Sequence, residues 1–341
     1  MIKYPYKNRA FCILIYLALV QSVLMQKLTK NVSEHLDEYW MLFKTRNNKT
    51  YTGREERQRR IAWENNLLKI YEHNLLAEAG HHNYTLRDNT YADLNSRDYI
   101  KELVKLVPSR RRRVSDEEMV ASVLQDPRRI PRSLDWREKG FVTEPENQED
   151  CGSCYAYSIA GSLAGQIFRQ TGLVVQLSEQ QLVDCSTQTG NMGCTGGSLR
   201  NTLRYLEKCR GIMADASYPY TGEQGACKYQ RSMSIVNITS WAVLPARDEL
   251  SLEAAVATIG PIAASINAGL QSFQLYHSGV YDDPACTSNV VNHAMLIVGY
   301  TPDEWILKNW WGDTWGENGY MRLRKGVNRC GIANYAAYAK I

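Results

Sequence analysis

The sequence predicts an α+β fold of two halves with a cleft between them, preceded by a separate helical segment. Three observations predict it. Apolar residues recur at helical spacing in 33–78 and again in 154–170; after about residue 235 the pattern turns to short apolar runs broken by turns; and eight of the nine cysteines fall between 151 and 330.

With 341 residues the chain is long enough for about two domains of ordinary size. Its 44% apolar and 22% charged residues exclude a disordered, collagen-like or coiled-coil protein. The net charge of +4 is too small to suggest a nucleic-acid partner. The charge is unevenly spread. There are 23 basic and 16 acidic residues before Ile130, and 17 basic and 20 acidic from there on. A removable front segment lying on the domain that follows would have this asymmetry; so would mere drift in surface composition.

Taken in order, Lys3, Lys7 and Arg9 precede an apolar run, Ala10 to Val20, with Val20 and Ser22 placed for cleavage. Residues 1–22 therefore read as a secretory signal peptide, too short for a stable anchor. Cys12 lies within it, and the other eight cysteines suggest disulfides in an oxidising compartment. Sequons at Asn31, Asn48, Asn83 and Asn237 are glycosylation candidates in that setting. Ser33 is placed to cap a helix carrying Leu36, Tyr39, Trp40 and Phe43 on one face, and a longer helix is expected from about Arg54 to Ala77. Residues 81–95 read as loop or short strand.

Residues 107–129 read as a linker, with Pro108, the run Arg110 to Arg113, the acids Asp116 to Glu118, and Arg128-Arg129. Such charge blocks stay exposed, as a solvated tether or as a cutting site for a basic-specific protease. A helix is expected over 154–170 with Gly172 as its stop, and Ser178 to Gln181 matches a capping box. Strands are expected at Ile262–Ile266, Ala294–Tyr300, Trp305–Lys308 and Tyr320–Arg324.

The segment Gln148 to Ser158 carries the chemistry. A cysteine at a helix start gains thiolate character, because unpaired N–H groups and the helix dipole favour an anion there. Asn292-His293-Ala294 heads one predicted strand, and Lys308-Asn309-Trp310-Trp311-Gly312 ends the next. Antiparallel pairing would set the His beside the Asn, whose carboxamide would orient the imidazole. Alternatives are a Cys151/Cys154 redox pair, zinc held by cysteines, and a catalytically impaired binding or inhibitory protein.

These residues resemble a papain-like cysteine protease of the cathepsin L type, with signal and propeptide. The motif Cys151-Gly-Ser-Cys154-Tyr155 is followed by His293 and Asn309 at 139 and 155 residues beyond Cys154. The propeptide signature aligns with Glu56, Arg60, Trp63, Asn66, Ile70 and Asn74, and a second with Asn89, Tyr91 and Asp93. Arg87 stands where a glycine is usual. The resemblance implies a papain-like two-lobe fold, with a helical left lobe and a β-barrel-like right lobe, preceded by a helical inhibitory propeptide. It divides the chain into signal peptide 1–22, propeptide 23–129 and mature peptidase domain 130–341.

It further implies Cys154 as nucleophile paired with His293 as thiolate and imidazolium, Asn309 as its orienting partner, and Gln148 with the Cys154 N–H as oxyanion hole. Trp311 would cover the His–Asn bond and Trp315 would back it. Gly196 and Gly197 would pair with substrate backbone, and Ser198, Leu199, Ser265, Val291 and Tyr335 would line the main specificity pocket, with Asn292 and Trp311 beside the reacting groups. A bulky Tyr335 floor should favour medium aliphatic side chains. The implied bridges are Cys151–Cys194, Cys185–Cys227 and Cys286–Cys330, leaving Cys209 spare. Tyr155, Tyr157, Glu149 and Trp310 depart from the usual Trp, Phe, Gly and Ser. The expected activity is endopeptidase cleavage through a thioester acyl-enzyme, in the lysosome or outside the cell. The implied protein is a monomer whose partners are peptide and protein substrates and its own propeptide. No metal or organic cofactor is implied.

Overall fold

Two helices open the described chain, 36–46 (α1) and Gly53–Glu78 (α2). The computed structural model describes residues 36–108, 119–120, 130–141 and 143–341. The expected leader, Asn31, the Ser33 cap and the arginine run at 110–113 lie outside these residues. The chain divides into two compact units, one ending at Arg60 and the other spanning Ile61–Ile341. In the first, Trp40 Nε1 and Lys44 Nζ each donate to Glu56 Oε1 at 2.6 Å, and Arg60 pairs with Asp37 at 3.0 Å. A single carboxylate thus ties α1 to the first turns of α2.

The second unit begins within α2. There Asn66 Nδ2 donates to the Ala92 and Leu94 carbonyls at 2.7 and 3.0 Å, and Asn74 both donates to and accepts from the Leu86 backbone at 2.9 Å. These amides hold β1 (Tyr84–Leu86) and the turns after it against the helix. Asn95 then caps α3 (Ser96–Leu103), accepting from the Arg97 and Asp98 N–H groups. This helix was not expected; its Asn-x-x-Asp start is the signal that announces it.

Two short strands follow, β2 (Met119–Val120) and β3 (Leu134–Asp135). The helical lobe contains α4 (Cys154–Thr171), α5 (Glu179–Cys185) and α6 (Leu199–Cys209), with a small sheet of β4 (Gly211–Met213) and β5 (Ser234–Asn237). Gly172 takes the left-handed stop of α4, and Ser178 Oγ accepts the Gln181 N–H at 3.0 Å. The strand-rich lobe adds β6 (Ser240–Val243), α7 (Glu249–Thr258), β7 (Ile262–Ile266), α8 (Gln271–Gln274) and β8 (Tyr276–Tyr281). It closes with β9 (His293–Tyr300), β10 (Glu304–Lys308), β11 (Tyr320–Arg324) and β12 (Ala336–Lys340).

The large sheet runs β1-β8-β11-β10-β9-β7-β12-β6-β2, with β3 pairing β9. The mixed α+β character and the propeptide ahead of it agree with the expected class. Within the expected linker, Met119–Val120 pairs in parallel with β6 as a short strand that the sequence reading did not include. Arg87 is accommodated as well. Its backbone is not left-handed, and its N–H donates to Leu275 O at 2.9 Å, so no glycine is required there.

Helix α4 is the spine of the second unit. Residues Cys154 to Ala160 are all buried, as befits a helix enclosed on every side. It lies close to the sheet because Gly165 faces Pro261; a Cβ there would stand 2.5 Å from Pro261 Cδ. Bridges join Cys151–Cys194, Cys185–Cys227 and Cys286–Cys330, with sequence separations of 43, 42 and 44. Loops of that length stabilise by about 4 kcal/mol each in the chain-entropy account.

One half-buried group gives the docked propeptide a pH dependence. His73 stacks on His82 at 4.3 Å and donates Nε2–H to the Tyr84 carbonyl at 3.0 Å. Burial holds its pKa below 6.5; His82 acts in the same direction, and the Tyr84 bond and Asp283 oppose it. Lys69 and Glu72 line the same small cavity. A base with a depressed pKa is docked neutral, so docking is undiminished above pH 6.5 and weakens as pH falls below it. The protection factors of the amides of residues 84–86, corrected for the intrinsic pH dependence of exchange, should fall between pH 7.5 and 5, less so in His73→Gln. Equal acid response in the two proteins would refute this.

Candidate active site

Cys154 is the first residue of α4, and its sulfur is fully buried. Ser153 before it offers no side-chain cap, so the first-turn N–H groups stay free for an anion. The backbone N–H groups of Ala294 and Tyr155 at this helix start favour the thiolate, as does the Lys105 charge. Burial outweighs them and pushes the thiol up to about 12.

Strand pairing supplies the second group. β9 and β10 are antiparallel, with Leu296 opposite Lys308, so the first residue of β9 and the residue after β10 share one end of the ladder. His293 Nε2 bonds Asn309 Oδ1 at 2.8 Å, both side chains fully buried. The carboxamide oxygen accepts, so Nε2 carries hydrogen and Nδ1 is the nitrogen left open; no hydrogen bond reaches it. Ala294, whose N–H favours the Cys154 thiolate, directly follows His293. Burial presses the imidazole down to about 4 despite the Asn309 bond. Burial thus disfavours the charged form of both the sulfur and the ring.

Trp311 stacks on His293 at 4.8 Å and meets Trp315 edge-on at 5.3 Å. The far side of Trp311 is closed by groups the sequence reading missed: Phe273, at 5.8 Å, and Tyr99 of α3, at 5.7 Å. Tyr99 is fully buried and donates to Ala268 O at 2.5 Å. Gln148 is also fully buried. Its N–H bonds Trp310 O at 2.9 Å, its Nε2 donates to Cys151 O at 3.0 Å and Leu103 O at 3.4 Å, and its Oε1 accepts nothing.

Residues 103–107 run through the cleft. Leu106 N–H donates to Asn292 O at 2.9 Å, Val107 N–H to Gly197 O at 2.8 Å, and the Leu106–Gly197 bridge is parallel. A Cβ on Gly196 would stand 2.2 Å from Lys105 O, and one on Gly197 would meet Asn191 and Tyr155 at 2.7 Å. Around the expected pocket, Ser265 Oγ donates to Tyr335 O at 3.1 Å, and Ser198 Oγ caps α6. Both hydroxyls are therefore spent within the chain. Leu199 is buried, Val291 and Tyr335 are half-buried, and the Arg200 guanidinium lies 5.8 Å over the Tyr335 ring.

The departures have local explanations. Trp310 Nε1 donates to Ala294 O at 3.0 Å and Ser158 Oγ at 3.2 Å, and its ring stacks on Tyr157 at 5.3 Å, filling the α4–β9 seam. Tyr155 donates its hydroxyl to Gly193 O at 3.1 Å. Glu149 sits at φ 55, the region where glycine is unstrained. Cys209 is a free thiol bonded to Gly211 O. Cys151 is bonded to Cys194, so Cys154 has no sulfur partner for a redox pair. The sequons at Asn48, Asn83 and Asn237 are exposed.

A buried free thiol at a helix start, an Asn-bonded imidazole on the facing strand and a preceding segment laid through the cleft define a thiol protease held as a proform. Residues 130–340 match the papain family cysteine protease domain, and residues 40–99 the cathepsin propeptide inhibitor domain (I29). The chain belongs to the papain family of cysteine proteases. It is 40% identical over 322 residues to cathepsin J of Mus musculus, covering 90% of this chain and 92% of that protein. It is 38% identical over 319 residues to cathepsin L2 of Homo sapiens, covering 90% and 93%. Among solved structures, digestive procathepsin L 3 of the Tenebrio molitor larval midgut superposes with TM-score 0.82 at 34% identity, covering 90% and 99%.

Glu149→Gly should relieve the left-handed strain and raise unfolding stability by about 1 kcal/mol. Denaturant melts of parent and variant measure this, and an unchanged midpoint would count against a strained residue 149.

Proposed function

We propose that the mature domain, residues 130–341, is an endopeptidase in which Cys154 attacks the scissile carbonyl, with 1–22 removed as a leader and 23–129 as the propeptide. His293 takes the thiol proton at Nδ1, the open nitrogen, and returns it to the leaving amine. Asn309 keeps the ring in that orientation under Trp311. The developing oxyanion is held by Gln148 Nε2 and the Cys154 N–H, and water then cleaves the thioester. The observation that carries this reading is the His293–Asn309 bond on the strand whose next residue, Ala294, favours the Cys154 thiolate through its backbone N–H.

The parallel Leu106–Gly197 bridge supports inhibition by reversed chain direction. A substrate pairing antiparallel there would present its carbonyl to the sulfur; the propeptide runs the other way and is spared. Departure of residues 99–107 would readmit water, remove the burial that disfavours charge on both groups, and let the ion pair form. Asn48, Asn83 and Asn237 are the glycan sites of this reading, and a lysosomal or extracellular destination fits its disulfides.

An epoxide-type label applied to acid-matured protein should modify Cys154 and abolish peptide hydrolysis, with neither seen in Cys154→Ser. Labelling elsewhere with hydrolysis intact would overturn the assignment. At pH 7 the proform should react with a soluble alkylating agent far more slowly than the mature enzyme. Gln148→Ala should lower kcat about 10²- to 10³-fold with the fold retained. A peptide library should show aliphatic residues preferred two positions before the cut; a preference for Phe there would contradict Tyr335 as the pocket floor.

A further inference from the structure

The two donors read above as the oxyanion hole lie on different stretches of chain. The Gln148 carboxamide precedes the Cys151–Cys194 bridge, and the Cys154 N–H heads α4. They can serve one oxygen only if their separation is held to about 0.5 Å. In the proform Gln148 Nε2 is shared between Cys151 O at 3.0 Å and Leu103 O at 3.4 Å. Leu103 belongs to the propeptide. Without it, the carboxamide keeps the Cys151 carbonyl and whatever fixes the Gln148 backbone.

One hydroxyl ties the two stretches together. Tyr220 Oη donates to Gln148 O at 2.9 Å and lies 2.7 Å from Ser153 Oγ. A phenol has a single hydrogen, so with it on the Gln148 carbonyl the Ser153 hydroxyl is the donor in the second bond. Ser153 is fully buried and its side chain does not cap α4. It shares a peptide unit with the Cys154 nitrogen, which is the second oxyanion donor. The Cys151 N–H also reaches Gln148 O, at the longer distance of 3.3 Å. Tyr157, one turn past Cys154 on α4 and standing where the resemblance expects Phe, meets the Tyr220 ring edge-on at 5.1 Å. Its own hydroxyl donates to Asn147 O at 3.3 Å, one residue before Gln148.

Resting on the endopeptidase reading above, we propose that Tyr220 is a positioning residue for the oxyanion hole, its hydroxyl setting the distance between the Gln148 carboxamide and the Cys154 N–H. It touches neither the sulfur nor the imidazole, so it acts on the transition state and leaves thiol reactivity and ground-state binding alone. Phe at this position keeps the ring against Tyr157 and loses both hydrogen bonds.

The test uses acid-matured enzyme and one peptide substrate. Tyr220→Phe should lower kcat about fivefold, the worth of one neutral hydrogen bond, with KM nearly unchanged. In a Gln148→Ala background the same substitution should change kcat little, because the donor it positions is gone. Alkylation of Cys154 by iodoacetamide, which forms no oxyanion, should proceed at the parent rate in Tyr220→Phe. Ser153→Ala removes the other half of the link and should show the same coupling to Gln148→Ala, so the idea stays open to refutation if Tyr220→Phe folds badly. An unchanged kcat, an equal fall with and without Gln148, or a matching fall in alkylation overturns the assignment and leaves the Cys154 reading intact. No hydrolysis by the unaltered enzyme, with Cys154 unlabelled, overturns both.

Discussion

The structure depends on the seam where the N-terminus of α4 meets the first residues of β9. Cys154 comes from one lobe and His293 from the other, and the Ala294 backbone N–H beside His293 favours the thiolate across the seam. The surrounding packing serves that seam. Trp310 fills it from the β10 end, Gly165 lets α4 approach Pro261, and the Cys151–Cys194 bridge fixes the chain entering α4. The His293–Asn309 bond is then closed off by Trp311, which excludes competing water.

The proform is held inactive by the same physics that makes the reacting groups useful. Burial disfavours charge on both the thiol and the imidazole, and Tyr99, Leu103 and Leu106 are among the buried side chains of the propeptide segment. The propeptide contributes its backbone as well, through the Asn292 and Gly197 carbonyls that would otherwise await a substrate. In the proposed reading, inhibition rests on desolvation and on a strand of reversed polarity.

The departures leave Cys154, His293 and Asn309 in place; Tyr155, Tyr157 and Trp310 are buried around them, and only Glu149 is exposed. Tyr155, Tyr157 and Trp310 find hydrogen-bond partners or ring neighbours. Glu149 instead accepts an unfavourable backbone conformation in an exposed place.

Much was legible in the sequence because it depended on local rules. The α4 start and Gly172 stop, the Ser178 cap, the four main strands and the grouping of Cys154, His293 and Asn309 followed from period, capping and motif. The helix after Asn95 was missed because its eight residues carry too short a pattern, and β2 was missed because two residues cannot outvote the charges around them. What only the tertiary structure decided was longer in range: Tyr99 and Phe273 against Trp311, the parallel run of Leu106 along Gly197, and Lys105 seated between Gly152 and Gly196. So was the burial that disfavours charge on the sulfur and the ring. A side chain's type and its neighbours in the chain can be read from sequence, but burial is set by residues dozens to hundreds of positions away. Burial is what decides whether those groups carry charge.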